Sequence, residues 1–326
     1  MIIYSLKELL LLATAAIAID WVVGDPKWPT HPVIWIGRLI RSLERRLAPE
    51  RYKEQQTVVK ALGAALMVIT LLMSWSVTWL LVWTADALHP WIGYAVSAWL
   101  ISTTLAVKGL KEAAMLVYDP LIEGRLEEAR KYVGYIVGRD TESLNEHEAS
   151  RAAVETVAEN TVDALVSPLL FALIGGAPFA MLYRAANTLD SMVGYRNDKY
   201  KDFGWCSART DDWLNYIPAR LTGVMLTISA MTYRQMSAKQ AFKAIVAFAH
   251  LHPSPNSGIP ESAVAGALGI ELGGTNLYFG VPSERARMGW PTRELQPHDI
   301  VLGVRLLYSV SVILFMGVIA AWFVMR

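Results

Sequence analysis

Three stretches of the chain stay apolar for long enough to cross a bilayer. Ala61 to Ala85 runs 25 residues without a formal charge, Ala87 to Val107 runs 21 more, and Leu306 to Met325 gives 20. Roughly 20 apolar residues cover the hydrocarbon core as a helix, so each stretch is a predicted span, with His89-Pro90 turning between the first two. Residues 5–24 form a weaker fourth, because Asp20 interrupts the run from Leu9 to Ile19. Lys7 ahead of that alanine-rich run also fits a signal peptide, but no clear cleavage site precedes Gly24. The stretch 164–183 is charge-free yet contains Pro168 and Gly175-Gly176-Ala177-Pro178, which would break a straight helix near its middle. It reads as a broken or re-entrant segment whose freed backbone groups face protein or water. Residues 217–233 are too short to cross and read as a partial or interfacial helix.

The pattern therefore predicts an all-α polytopic integral membrane protein: a helical bundle with broken or re-entrant helices, forming one domain over residues 1–326. Its polar segments are 24–60, 108–163, 184–220 and 234–305. Those from 38 to 60, 108 to 163, 184 to 220 and 234 to 305 hold seven, seven, six and seven Lys and Arg, while the turn at 86–90 holds none. That bias predicts an external N-terminus and an external 86–90 turn, with the polar segments and an active site on the cytoplasmic side of the cell's inner or plasma membrane. Within them, Ser143 to Val166 reads as one helix, and 252–303, rich in Pro, Gly, Ser and Asn, reads as ordered loops around a short helix Ser262 to Leu268.

Composition agrees with the bilayer reading: 54% of the 326 residues are hydrophobic and 18% charged, against about a quarter charged in soluble domains. A net charge of +1 excludes a polybasic nucleic-acid binder, and the single cysteine, Cys206, excludes disulfide frameworks and multi-cysteine metal sites. The chain has no P-loop, dinucleotide-binding glycine turn or nucleophile elbow.

Four polar clusters carry candidate chemistry. On the helix from Ser143, Arg151, Glu155, Glu159 and Asp163 are four apart and share a face. Three stacked carboxylates need positive charge; Arg151 suits one, and a divalent cation held by Glu155, Glu159 and Asp163 suits the column, since magnesium takes one or two carboxylates plus phosphates and water. A solvated helix face is the plain alternative. The segment 184–220 gathers Asn187, Asp190, Tyr195, Asn197, Ser207, Arg209, Asp211, Asp212 and Arg220, a mixture suited to a metal-phosphate site because arginine offers phosphate a bidentate fork. A charged juxtamembrane loop would look the same. The third cluster, from His252 through Ser254, Asn256, Ser257 and Gly258 to Glu261, is stiffened by Pro253 and Pro255. It reads as a rigid loop presenting N–H groups to an anion, with Gly258 free to take a positive φ. Near the N-terminus, Asp25 and His31 offer a charge and a proton acceptor, or simply a capped turn.

These residues resemble the adenosylcobinamide-phosphate synthase family, the CobD/CbiB membrane proteins of cobalamin biosynthesis. The likeness lies in Glu155-Thr-Val-Ala-Glu-Asn160-Thr161, Asn187-Thr-Leu-Asp-Ser-Met-Val-Gly-Tyr195, Phe203-Gly-Trp through Ser207-Ala-Arg209, Ile217-Pro-Ala-Arg220 and His252-Pro-Ser-Pro-Asn-Ser-Gly258. Gly24-Asp-Pro26 and His31-Pro-Val33 fit its N-terminal pattern, so the likeness covers nearly the whole chain in order. Val162-Asp163-Ala164 departs from an expected Ser-Asp-Gly, and Cys206 replaces a smaller residue. The resemblance implies ATP-dependent amide ligation of adenosylcobyric acid with (R)-1-amino-2-propanol phosphate or a related amino-alcohol phosphate. ATP and magnesium are the implied activating system, and the corrinoid is substrate rather than prosthetic group. The implied partners are these substrates, the bilayer and other membrane enzymes of the late cobalamin pathway, with no nucleic acid. On this reading Glu155, Glu159, Asp190, Arg209 and His252 are catalytic candidates, Asp190 and His252 being the proton acceptors. The other named polar residues, Asn160 among them, bind substrate. Two rivals remain at this stage. A magnesium-dependent prenyl- or phospho-alcohol transferase would show a second aspartate-rich motif beside Asn187-x-x-Asp190, and a transporter would show inverted-repeat symmetry.

Overall fold

A computed structural model describes residues 4–24, 28–195, 197–278 and 280–325. The chain divides into two compact units. One comprises Met1–Ala106, Ser167–Asn215 and Gly317–Arg326; the other comprises Val107–Val166 and Tyr216–Met316. The sequence pattern alone gave no reason to divide the domain.

In the first unit, α1 (Leu6–Val22), α2 (Pro32–Leu47), α3 (Gln56–Leu88) and α4 (Pro90–Ser102) precede the second unit's segments in sequence. The long helix α3 has its apolar side chains turned outward. Gly63, Leu66, Thr70, Ser74, Thr78, Val82 and Ala85 are buried in one stripe, while Leu72, Val77, Leu80 and Leu81 are exposed. In water this would expose the wrong face; in lipid, small and hydroxyl residues pack between helices and large apolar ones face the acyl chains. Thr70 and Thr78 donate to the carbonyls of Leu66 and Ser74 at 2.8 and 2.7 Å, so no buried hydroxyl of the pair is left unsatisfied. Gly63 is required by close approach: a Cβ there would lie 1.9 Å from the carbonyl oxygen of Phe203.

The second unit holds α5 (Val107–Ile122), α6 (Leu126–Val133) and α7 (Glu146–Thr161), then a π-helical turn, Val162–Val166. The helix expected from Ser143 begins three residues later, because Asn145 caps it reciprocally with Glu148. Back in the first unit, α8 (Ser167–Val193) leaves helical geometry at Gly175 and Gly176, the latter at φ 69°, where a break is predicted. The π turn has no counterpart in the sequence reading. α9 (Trp205–Leu214) closes that unit's internal segment.

The second unit resumes with α10 (Tyr216–Ala230), α11 (Ala238–Phe248) and α12 (Gly258–Leu268), the antiparallel hairpin β1 (Leu272–Tyr278) and β2 (Val281–Met288), and α13 (His298–Val324), whose last residues belong to the first unit. The hairpin corrects the expectation of loops over 252–303. Its polar alternation, with Thr275, Glu284 and Arg287 outward, looks loop-like when period-2 burial is not tested.

Among the described residues, four helical stretches are long and apolar enough to cross a membrane: Gln56–Leu88, Pro90–Ile122, Glu146–Val193 and His298–Val324, with mean hydropathies of 2.0, 1.2, 2.0 and 2.2. α1, at 17 residues, is shorter than these. Residues 216–230 keep an apolar outer face of Ile217, Leu221, Val224 and Ile228, as an interfacial helix would.

Candidate functional site

The second unit buries a cluster of opposite charges around α7. Glu155 is 8% exposed, and a carboxylate so placed needs compensation. It receives it from both sides. Oε2 meets Arg139 Nη1 at 3.0 Å, and Oε1 accepts the Gly273 N–H at 2.8 Å with Arg151 Nε at 3.9 Å. Asn276 on β1 joins the two arginines, its Oδ1 accepting from Arg151 at 3.0 Å and from Arg139.

One turn further along α7, Glu159 Oε1 accepts the hydroxyl of Ser257 at 2.8 Å. Asn160 donates to the Thr156 carbonyl at 2.9 Å, and Asp163 lies in the π turn. The π turn interrupts the four-residue column, and Glu155 is committed to arginine. Among the described residues no three His, Cys, Asp or Glu side chains are gathered to hold a metal. The expected cage of Glu155, Glu159 and Asp163 is corrected accordingly: Glu155 belongs to an ion-pair network, while Glu159 and Asp163 are half-buried.

The loop before α12 differs in detail from its expected form. Its N–H groups point inward: Ser254 N donates to His252 Nδ1 at 3.0 Å, and Asn256 N and Ser257 N donate to Ser254 Oγ at 3.3 and 3.4 Å. They stiffen the loop rather than offering an anion their protons. Gly258 is not at positive φ; it is glycine because a Cβ would sit 2.3 Å from the Ala249 carbonyl oxygen. Arg220 reaches the loop from α10, donating to Asn256 Oδ1 at 3.2 Å while stacked 3.4 Å over the Tyr216 ring.

His252 and Glu261 face each other across that loop, Nε2 to Oε1 at 3.7 Å. Burial pushes the Glu261 carboxyl well above the usual carboxylate range, with Glu155 and Glu159 adding to the effect. Burial likewise holds His252 below its ordinary value, and the Arg285 cation acts in the same direction. Arg285 itself is kept charged: burial opposes its charge, but Tyr278, Glu261, Glu159 and Glu155 outweigh it.

The first unit holds a separate polar network. Asn215 Oδ1 accepts from Ser167 at 2.6 Å and Tyr183 at 2.8 Å, its Nδ2 donates to Asp211 at 2.9 Å, and Asn187 donates to Asp211 at 3.4 Å. Asn187 and Asp211 are thus brought together as the sequence suggests. Asp190 follows Asn187 on α8 and is half-buried; Ser207 is buried on α9, whereas Arg209 is exposed and Asp212 half-buried. Asn197 accepts from Tyr200 N at 3.0 Å, and Tyr195 is 44% exposed. His31 caps α2 through a 3.3 Å bond from Val33 N; Asp25 lies outside the described residues.

Sequence reasoning missed Arg139, Asn276, Arg285 and the Gly273 N–H. The signal available was the demand itself, since three carboxylates, Glu155, Glu159 and Asp163, stacked on one helix face with a single arginine, Arg151, need positive charge from elsewhere.

Helices long and apolar enough to cross a bilayer, in a chain with almost no sheet, define the class as an all-α membrane protein. The CobD/CbiB protein family model matches residues 13–307, and the chain belongs to that family. It is 48% identical to the cobalamin biosynthesis protein CobD of Halalkalibacterium halodurans over 88% of each chain. It is 46% identical to CobD of Geobacter metallireducens over 92% of each. Against the cobalamin biosynthesis protein CbiB of Salmonella typhimurium it is 43% identical over 93% of this chain and 94% of that one. No solved structure matches it.

Proposed function

We propose that the chain catalyses the ATP-dependent amide ligation of adenosylcobyric acid with an amino-alcohol phosphate, giving adenosylcobinamide phosphate, at the cytoplasmic face of the cell membrane. The observation that carries the reading is the acid and arginine network at Glu155 and Glu159 beside the His252 to Glu261 loop, set in a chain of a cobalamin-biosynthesis family. At neutral pH a carboxylic acid and an amine rest as carboxylate and ammonium, so ligation needs activation of one and deprotonation of the other. ATP supplies the activation when bound, with magnesium offsetting its charge.

The donor set fits magnesium in the form that arrives with phosphates, since that ion needs only one or two carboxylates from protein. Glu159 and Asp163 would hold it. Arg220, with the hydroxyl and amide side chains of Ser254, Asn256 and Ser257, would bind phosphate oxygens. Asp190 and His252 are the candidates to take the ammonium proton. His252 has the better ordinary range for that task, and its depressed value keeps it neutral and able to accept.

The test is direct: purified protein in detergent with adenosylcobyric acid, (R)-1-amino-2-propanol phosphate, ATP and magnesium, read by mass spectrometry. The amide product dependent on all four supports the reading; its absence from protein that binds these substrates refutes it.

A further inference from the structure

α2 links α1 to α3 within the first unit. Six Lys and Arg stand between Arg38 and Lys53, and that density of charge keeps the connection out of the hydrocarbon. α2 therefore runs along one face of the membrane, and its 16 residues reach about 24 Å.

Its sides divide by chemistry. Ile36, Gly37 and Ile40 are buried, and a Cβ on Gly37 would meet Met192 Sδ of α8 at 3.6 Å. Leu39, Leu43 and Leu47 continue that apolar side and are half-buried. Arg38, Arg41 and Arg45, spaced three and four apart, share the opposite face and are exposed. Trp35, 55% exposed, stands between the two sides, with the Arg38 guanidinium 5.0 Å over its ring.

The protein itself does not neutralise this face. Glu44, the one acid on α2, is taken by Lys199 at 2.9 Å and by the Tyr200 hydroxyl at 3.0 Å. Among the described residues no carboxylate pairs with Arg38, Arg41, Arg45 or Arg46. A row of unpaired guanidinium groups beside a bilayer has the charge that attracts phospholipid phosphate. Trp35 adds a second demand, since an indole suits the level where headgroups meet acyl chains. An acidic protein would answer the arginines alone. Anionic lipid answers both, headgroup to guanidinium and acyl chain to Trp35 and the half-buried leucines.

We propose that α2 is an interfacial helix that binds anionic phospholipid, with the lipid phosphates on Arg38, Arg41 and Arg45 and the acyl chains beside Trp35, Leu39 and Leu43. The inference is independent of the ligation chemistry, and turnover plays no part in its test.

The experiment is native mass spectrometry of the full-length protein in detergent, titrated with phosphatidylglycerol and phosphatidylcholine of matched acyl chains. The parent should bind phosphatidylglycerol at least about tenfold more tightly. A variant carrying Arg38→Gln, Arg41→Gln and Arg45→Gln should lose most of that preference at an unchanged melting temperature, because all three side chains are exposed. The charge-matched variant Arg234→Gln, Lys239→Gln and Lys243→Gln, altered at exposed positions of the second unit, should keep it. Arg38→Gln and Arg45→Gln read singly should each weaken phosphatidylglycerol binding by about two- to fivefold, which keeps the proposal testable if the triple variant does not fold. No preference in the parent, or equal loss from both triple variants, overturns the proposal. Displacement of the lipid by inorganic phosphate would overturn it by making the row a plain anion site. Tighter binding of a polyglutamate peptide than of phosphatidylglycerol would overturn it in favour of an acidic protein partner.

Discussion

His252 Nε2 lies 3.7 Å from Glu261 Oε1, with the two side chains 4% and 1% exposed. Arg285, Glu155 and Glu159 act electrostatically on both, and Arg139 acts on Glu261. A carboxyl whose folded value is raised binds its proton more tightly folded than unfolded. Its contribution is therefore fully present below the unfolded value near 4.5 and is lost as pH rises toward the folded one. His252, held below 6.5 by burial, works the other way: its penalty is felt in acid and fades as pH climbs past the unfolded value. Glu261→Gln, which cannot ionise, should gain thermal stability relative to the parent as pH is raised from 5 to 8. Melting curves in detergent at several pH values check this, and a difference between the two proteins that does not change with pH contradicts it.

Glu155 and Glu159 sit one turn apart but do different work. Glu155→Gln leaves Arg139, 5% exposed, without its buried counter-charge, and breaking such a pair by removing one partner costs about 3–5 kcal/mol. Glu159→Gln loses one acceptor at a half-buried position and should melt close to the parent while losing ligation activity. Melting temperatures beside turnover of both variants test the division. A Glu155→Gln protein as stable as the parent would show that the network is not holding α7 to β1.

Gly63 gives a packing prediction free of chemistry. Its absent Cβ would stand 1.9 Å from the backbone oxygen of Phe203, which cannot swing aside as a side chain could. Gly63→Ala should cost about 1–3 kcal/mol or more through overpacking. Gly317→Ala, with nothing within 4 Å of the new methyl, should be neutral or slightly stabilising. Equal melting of both variants would mean that α3 accommodates the methyl.

The spans were legible because 20 uncharged residues have few other uses, and the break at Gly175-Gly176 because glycine and proline act locally. The hairpin was not, because the contacts that make it a sheet lie between β1 and β2 and leave no apolar alternation on the exposed face. The site was half legible. Glu155, Glu159, Ser257 and Arg220 could be named one by one from their chemistry, whereas Arg139, 16 residues from Glu155, and Asn276, 137 from Arg139, are joined only by folding. The inward-turned N–H groups of Ser254, Asn256 and Ser257 illustrate the same limit, since a turn-forming sequence does not reveal where its donors are used.

The basic segments support the proposed cytoplasmic placement, and labelling tests it. Single cysteines at Ser143, Lys201 and Arg285, in a Cys206→Ser background, should all react with a membrane-impermeant maleimide only after the cytoplasmic side is opened. A cysteine at Lys201 labelled in intact cells would place that segment outside and require α8 to cross the membrane fully.

Arg220 joins α10 to the His252 to Gly258 loop through its planar group. It stacks on Tyr216 at 3.4 Å while Nη1 donates to the Tyr216 carbonyl at 2.7 Å and to Asn256 at 3.2 Å. Lysine would keep the charge but lose the stack and the divergent donors, so Arg220→Lys is not a conservative change here. The stack at this half-exposed position contributes only about 0.5–1 kcal/mol, so the melting temperature should hardly move. If the loop's Ser254, Asn256 and Ser257 side chains bind phosphate, losing their anchor should raise KM for the amino-alcohol phosphate and lower kcat/KM by about tenfold or more, about 1.4 kcal/mol of transition-state stabilisation. Tyr216→Leu, which removes the ring but not the cation, should reproduce part of the loss. Parent-like kinetics in Arg220→Lys would mean that the loop is held by its own internal hydrogen bonds and that Arg220 contacts no substrate.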